Sequence, residues 1–220
     1  CGREKMNYAE RHILETLIYL PMLTAVVLLA VPQGQRTATR GIGIASGALL
    51  LLGSAYVFVA FDYGAGAATF QLLRTYPWLE QVGIDFRLGI DGVAAPMVLL
   101  TGIVSLTASI IAANVERDAK NYYVLLFLLI AGVYGTFVSI DLFFFFFFYE
   151  LAIVPMYLLI AVWGSSSTFK DFARTKEYGA LKLVLMIVAA SVLVWIAIIT
   201  IYVSVGIGTF NILALQAAVQ

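Results

Sequence analysis

The sequence predicts an all-α integral membrane fold, a single membrane domain of about six transmembrane helices with a short hairpin-like connection between the second and third. Three observations predict it. Of the 220 residues, 62% are hydrophobic and 12% charged, against roughly 45–50% and 25% in soluble domains. The mean hydropathy is +0.98. The apolar residues gather into six runs, each long enough at about 1.5 Å per residue to cross a hydrocarbon layer of about 30 Å.

The first run covers 13–31 and is closed by Pro32. Glu15 lies in its opening turn, where the helix dipole and the headgroup region suit a carboxylate, and His12 just before it reads as an interfacial side chain. The second run covers 41–61, with Gly43 and Gly47 four apart and Ala48 beside them. Such a small-residue face lets another helix approach closely. From 62 to 91 charged and apolar residues alternate, and GIDFRLGIDG has the short alternation of a strand or hairpin lying over the membrane surface. Asp91 then reads as the cap of a third helix, 93–113, with Pro96 near its start.

After the charged turn NVERDAKN comes the fourth helix, 122–140, separated by Asp141 alone from the fifth, 142–163. So tight a connection makes the two helices antiparallel neighbours. Trp163 and Gly164 supply an aromatic interface anchor and a helix stop. The sixth helix, 178–203, is interrupted by Lys182, and a weakly apolar tail follows.

Composition excludes several functions. Thirteen basic and thirteen acidic residues cancel, and no Lys/Arg block of the kind that binds phosphate is present, so a nucleic-acid role is set aside. One cysteine and one histidine leave no internal disulfide, no cysteine-ligated iron–sulfur cluster and no zinc or haem site built from local ligands. The single cysteine is Cys1, which suggests a partial or processed chain, with a lipoprotein-type amino terminus as the alternative. Gly206, Gly208 and the glycines from 41 to 47 do not follow a strand in a βαβ unit, so no dinucleotide fingerprint exists.

Orientation follows from the basic residues on alternate sides. Arg36, Arg40, Arg117, Lys120, Lys170, Arg174 and Lys176 fall on one side, in short loops, and Arg3, Lys5, Arg11, Arg74 and Arg87 on the other. Seven against five favours an outside amino terminus and a cytoplasmic or matrix-side loop before the sixth helix.

Two charges stand inside membrane runs. Glu150 follows Asp141 by nine residues, about 13 Å along a helix, and so lies near the membrane centre. A carboxylate at that depth costs at least ~2.5 kcal/mol on insertion scales and is tolerated mainly where it faces protein, water or a partner charge. Pro155 cannot donate to the carbonyl of Leu151, which either loosens a turn and forms a hydrated pocket with Glu150 or merely kinks the helix for packing. Lys182 lies about 6–7 Å from the inner surface. It either snorkels or joins a water-linked proton relay with Glu150 across an axial gap of about 10 Å. Phe143 to Phe148 cover every face of the fifth helix, for which lipid contact and packing suffice.

At FFFFFFYELAIVPMYLLIAVWG the chain closely resembles the antiporter-like subunits of NADH:quinone oxidoreductase, respiratory complex I, in the branch of bacterial subunit M and mitochondrial subunit 4. Tyr149, Glu150, Pro155, Met156, Tyr157, Leu158, Ile160, Trp163 and Gly164 carry the resemblance. GIDGVAAPMVLLTG before the third helix and KEYGALKLVLMIVAAS in the sixth support it. The resemblance implies a proton-translocating membrane subunit of an energy-transducing membrane, bacterial cytoplasmic or mitochondrial inner, beside lipid and neighbouring antiporter-like subunits. NADH, FMN, iron–sulfur clusters and quinone are then expected in other subunits and no cofactor in this chain. Glu150 matches the family's essential fifth-helix glutamate, which acts on a lysine further along, and Lys182 matches a lysine common in the sixth helix. The family has about fourteen helices in two inverted repeats. Relative to it the chain is truncated after the sixth, and a helix with a mid-membrane lysine is expected beyond Gln220. A subunit of a multi-subunit Na⁺/H⁺ antiporter or of a membrane-bound hydrogenase-type complex, and a purely structural helix-packing fragment, are the alternatives.

Overall fold

Apolar runs long enough to cross a bilayer must satisfy every backbone group internally, and helices do so. The computed structural model describes residues 12–32, 34–65, 70–169 and 172–219. Cys1, Arg3, Lys5, Arg11 and Lys170, and with them part of the charge count above, lie outside the described residues. Among the described residues six helices have the length and composition of membrane spans: α1 (Ile13–Ala30), α2 (Arg36–Ala60), α3 (Ala94–Ala112), α4 (Ala119–Val138), α5 (Leu142–Trp163) and α6 (Lys176–Val205). A short helix, α7 (Ile212–Val219), follows. Between α2 and α3 stands an antiparallel hairpin, β1 (Gln71–Leu79) and β2 (Ile84–Ile90). Another, β3 (Ser167–Phe169) with β4 (Phe172–Arg174), lies between α5 and α6.

Most helix ends shift by one or two residues from the hydropathy reading, and the changes at α2 and α4 have a clear cause. α2 begins at Arg36 rather than 41, because RTAT continues the helix into the polar boundary, where Thr39 returns its hydroxyl to the Gln35 carbonyl at 3.1 Å. α4 begins at Ala119 rather than 122, after Asp118 in a left-handed conformation, φ 52°. α4 also ends early, at Val138. The connection to α5 is therefore Ser139 to Asp141, not Asp141 alone, because these residues are drawn into backbone pairing: Ser139 bridges Leu88, and the Ile140 amide donates to the Arg87 carbonyl at 3.0 Å.

That pairing extends into a seam on one side of the membrane. Leu142 donates to the Phe210 carbonyl at 2.9 Å, Ile212 to the Ile140 carbonyl at 3.1 Å, and Phe210 to the Gly83 carbonyl at 3.2 Å. The hairpin, the α4–α5 connection and the segment leading into α7 are thus held together by main-chain bonds. Trp78 and Phe86 of the hairpin rest on Phe143, Phe144 and Phe148. The phenylalanine run, read from sequence as lipid-facing and packing residues, is also the floor on which the hairpin stands. On the opposite side Lys120 donates to the Leu29 and Val31 carbonyls at 2.8 and 2.6 Å, and the Trp163 indole donates to Arg117 at 2.7 Å.

Within the bundle the small residues of α2 admit close neighbours: a Cβ at Gly47 would lie 3.1 Å from the Leu106 backbone. Buried hydroxyls find partners across helices, as membrane interiors require. Thr24 pairs with Ser46 at 2.9 Å, Ser54 with Tyr134 at 2.8 Å, and Tyr123 donates to the Ser109 carbonyl at 2.7 Å.

Candidate functional site

Asp141 starts α5. Its Oδ1 accepts from the amides of Phe143 at 3.0 Å and Phe144 at 3.4 Å, satisfying two orphan donors of the first turn. Two glycines of α4 then set the helix face. A Cβ at Gly132 would lie 2.9 Å from Ala152 Cβ and 3.0 Å from the Phe148 carbonyl, and one at Gly135 would enter the Phe148 ring. Only glycine lets α5 approach with Phe148 and Ala152 against α4.

With Phe148 turned to α4, a step of about 100° per residue sends Glu150 to the far side of α5. That is the side of Phe143 and Phe146, seven and four residues earlier, and it meets α6. Phe146 stacks on Trp195 with centroids 4.9 Å apart, and Phe143 meets the same indole edge-on at 6.1 Å. Glu150 is half-buried. Its Oε1 is enclosed and has no hydrogen-bond partner among the described residues.

Pro155 is buried inside α5, which runs through it without a break. Seven residues past Phe148, it shares the face turned to α4, so it does not share a pocket with Glu150. The cavity in this part of the bundle, about 230 Å³, lies between α4, α5 and α6 and is lined by Val133, Thr136, Tyr149, Ala152, Met156 and Ile187. Its lining is nearly all apolar and excludes both Glu150 and Pro155. Pro155 thus packs toward α4 rather than lining this cavity.

Lys182 is exposed on α6. The buried positions of that helix are Ala180, Ser191 and Ile198, and Lys182 is nine residues from Ser191, half a turn out of phase at about 100° per residue. It projects from the face opposite the one packed on α5. The axial register is fixed by Phe146 beside Trp195 at one end and by Lys176 donating to the Val162 carbonyl at the other. Lys182 then falls near Leu158, about 12 Å along the axis from Glu150. The structure does not bring the two charges together.

Sequence reasoning missed the other enclosed carboxyl. Asp141 is 0% exposed and its Oδ2 has no partner among the described residues. Burial pushes its pKa up to about 6, against the lowering effect of backbone hydrogen bonds from Phe144, Phe143 and Asp85 and of the Arg87 charge. The sequence showed Asp141 only as the link between two helices, and nothing local foretold that β2 and the 210–212 segment would close over it.

No family model matches the chain. The NAD(P)H-quinone oxidoreductase chain 4 2 of Trichodesmium erythraeum is 35% identical over 185 residues, 84% of this chain and 31% of that one. The chain is a homologue of NAD(P)H-quinone oxidoreductase chain 4. The resemblance read at ELAIVPMY thus holds beyond that motif. This chain 4 homologue spans about a third of the length of the curated relatives it matches. In fold it is similar to a chain of respiratory complex I from Thermus thermophilus, with a TM-score of 0.76 and 21% identity, covering 93% of this chain and 39% of that one. A chain of the Mrp complex from Dietzia has the same fold at a TM-score of 0.67 and 20% identity, covering 90% and 20%. The membrane-spanning, all-helical architecture of the chain 4 homologue is therefore that of chains in multi-subunit membrane complexes.

Proposed function

We propose that the chain belongs to an antiporter-like membrane subunit of a proton-pumping NAD(P)H:quinone oxidoreductase and takes part in proton translocation coupled to quinone reduction. The observation that carries this is Glu150: a carboxyl half-buried at mid-helix in an apolar span, with one oxygen enclosed and without a partner among the described residues. An ionisable group inside a membrane helix marks an ion or proton path by default, and a carboxyl at this depth exchanges its proton only when water or a cation reaches it.

Lys182 belongs to this reading through the uncovered face of α6. There it meets whatever further helices pack on the chain, rather than Glu150 directly. NADH, FMN, iron–sulfur clusters and quinone are held by other subunits of the assembly, which sits in an energy-transducing membrane. The chain itself carries no redox step.

The test is Glu150→Gln in native membranes, with quinone reduction, proton uptake and subunit assembly measured together. Loss of pumping with normal assembly supports the reading. Normal assembly with both activities unchanged overturns it. Na⁺ movement in the same membranes, together with the co-purifying chains, separates this reading from a Na⁺/H⁺ antiporter with the same fold.

A further inference from the structure

We infer that Ser191 of α6 is the hydroxyl partner of Glu150, a positioning residue that completes the carboxyl's hydrogen bonding directly or through one water. The inference rests on Glu150 being the proton-exchanging group proposed above.

The first support is register. α5 and α6 run antiparallel, and Phe146 stacks on Trp195 at 4.9 Å. Glu150 stands four residues beyond Phe146 and Ser191 four residues before Trp195. In an antiparallel pair both steps go one turn, about 5.4 to 6 Å, in the same direction, so Glu150 and Ser191 are at one level. The second support is facing. Glu150 shares its side of α5 with Phe143 and Phe146, which both touch Trp195. Ser191 is 4% exposed and lies on the inward face of α6 with Ala180 and Ile198.

The third is chemistry. Between Ala180 and Ile198 that face reads Ala180, Val184, Ile187, Val188, Ser191, Val194, Trp195, Ile198, and Ser191 alone is polar. Its Oγ donates to the Val188 carbonyl at 3.0 Å, three residues back. An α-helical carbonyl already accepts the amide four residues on, so turning the hydroxyl away leaves Val188 satisfied. An enclosed carboxyl oxygen left without a partner costs more than the release of one neutral hydroxyl bond. The exchange therefore gains more than it loses. A hydroxyl also serves both charge states: it donates to the carboxylate and accepts from the neutral carboxyl. Lys182, on the opposite face, cannot do this.

The experiment uses the assembled complex in native membranes, with Glu150→Gln, Ser191→Ala and Ser191→Thr. Infrared difference spectra identify the bands of Glu150 as those that Glu150→Gln removes. Ser191→Ala is expected to shift these bands, the neutral carboxyl stretch moving to higher frequency as its partner is lost, and to lower proton uptake per quinone reduced. Ser191→Thr, which keeps the hydroxyl, is expected to restore both. Bands that stay in place in Ser191→Ala overturn the inference whatever happens to pumping. Unchanged pumping in Glu150→Gln overturns the functional reading instead, while the bands still report the contact. Should Ser191→Ala not assemble, Ser191→Val against Ser191→Thr, equal in shape and different in the hydroxyl, gives the same comparison.

Discussion

The phenol of Tyr76 on β1 donates to the Oε1 of Glu15 in the first turn of α1 at 2.6 Å. His12 Nδ1 takes the other carboxylate oxygen at 2.5 Å. Glu15 is only 7% exposed, so the pair fastens the hairpin to the mouth of the bundle. The bond to Glu15, followed by burial, holds the phenol pKa above its usual value of 10.0, and Tyr76 stays a donor throughout the physiological range. Tyr76→Phe removes one charge-assisted bond from a partly solvated site, a loss of about 1 kcal/mol. The expected outcome is faster hydrogen exchange in the β1–β2 amides, with exchange in α3 and α4 unchanged. Equal hairpin protection in both proteins would show that Tyr76 does not hold the strand down.

The close approach of α4 and α5 makes a second prediction. Gly135→Ala puts a methyl group into the Phe148 ring, and overpacking of this kind costs about 1–3 kcal/mol. Because Phe148 sets the face of α5, the variant also rotates Glu150 away from α6. Gly41→Ala is the contrast: no atom lies within 4 Å of its Cβ, and alanine is favoured over glycine in a helix by about 1 kcal/mol. Thermal unfolding in detergent should therefore show Gly135→Ala less stable than the parent and Gly41→Ala equal or better. Equal loss in both would show that the contact with Phe148 does not set the cost, since helix propensity favours alanine at each position.

Lys182 projects away from the α5–α6 contact that Glu150 faces, and the two are separated by about 12 Å along the axis. Lys182→Met should leave the infrared bands of Glu150 in place, even if proton uptake falls. A band shift comparable with that of Ser191→Ala would mean that the ammonium group reaches the carboxyl, against the register set by Phe146 and Trp195.

These relationships were unequally legible in the sequence. Spans, hairpin and Glu150 were legible because membrane helices announce themselves by apolar length and a charge within one stands out. Asp91 as a cap was also readable, and its Oδ1 accepts from the Val93 and Ala94 amides at 3.1 and 2.7 Å. Helix rotation was not. A phenylalanine on every face leaves α5 without an apolar stripe, so only the Gly132 and Gly135 contacts decide which way Glu150 turns. Lys182 was visible as a charge within an apolar run. Its direction follows from the buried positions of α6, which a helix hydrophobic all round does not reveal. Asp141 was hidden for a different reason: its enclosure comes from Arg87, Asn211 and Phe210, remote in sequence.

Asp141 supplies the last prediction. Burial raises its pKa from 3.8 to about 6 even though Phe143 and Phe144 donate to it. The folded carboxyl therefore holds its proton where the unfolded one has lost it. By linkage, its contribution to stability is fully present below about pH 4 and is lost as pH rises through about 6. Hydrogen exchange of the Phe143 and Phe144 amides should accordingly show protection falling between pH 4 and 6, after correction for the intrinsic pH dependence of exchange. Asp141→Asn keeps a carbonyl oxygen for the cap and cannot titrate, so the slope should vanish. Asp141→Ala should lose the slope and also about 1 kcal/mol of protection at every pH, the usual cost of a missing cap. A slope that survives in Asp141→Asn would show that Asp141 is not the titrating group and overturn the assignment.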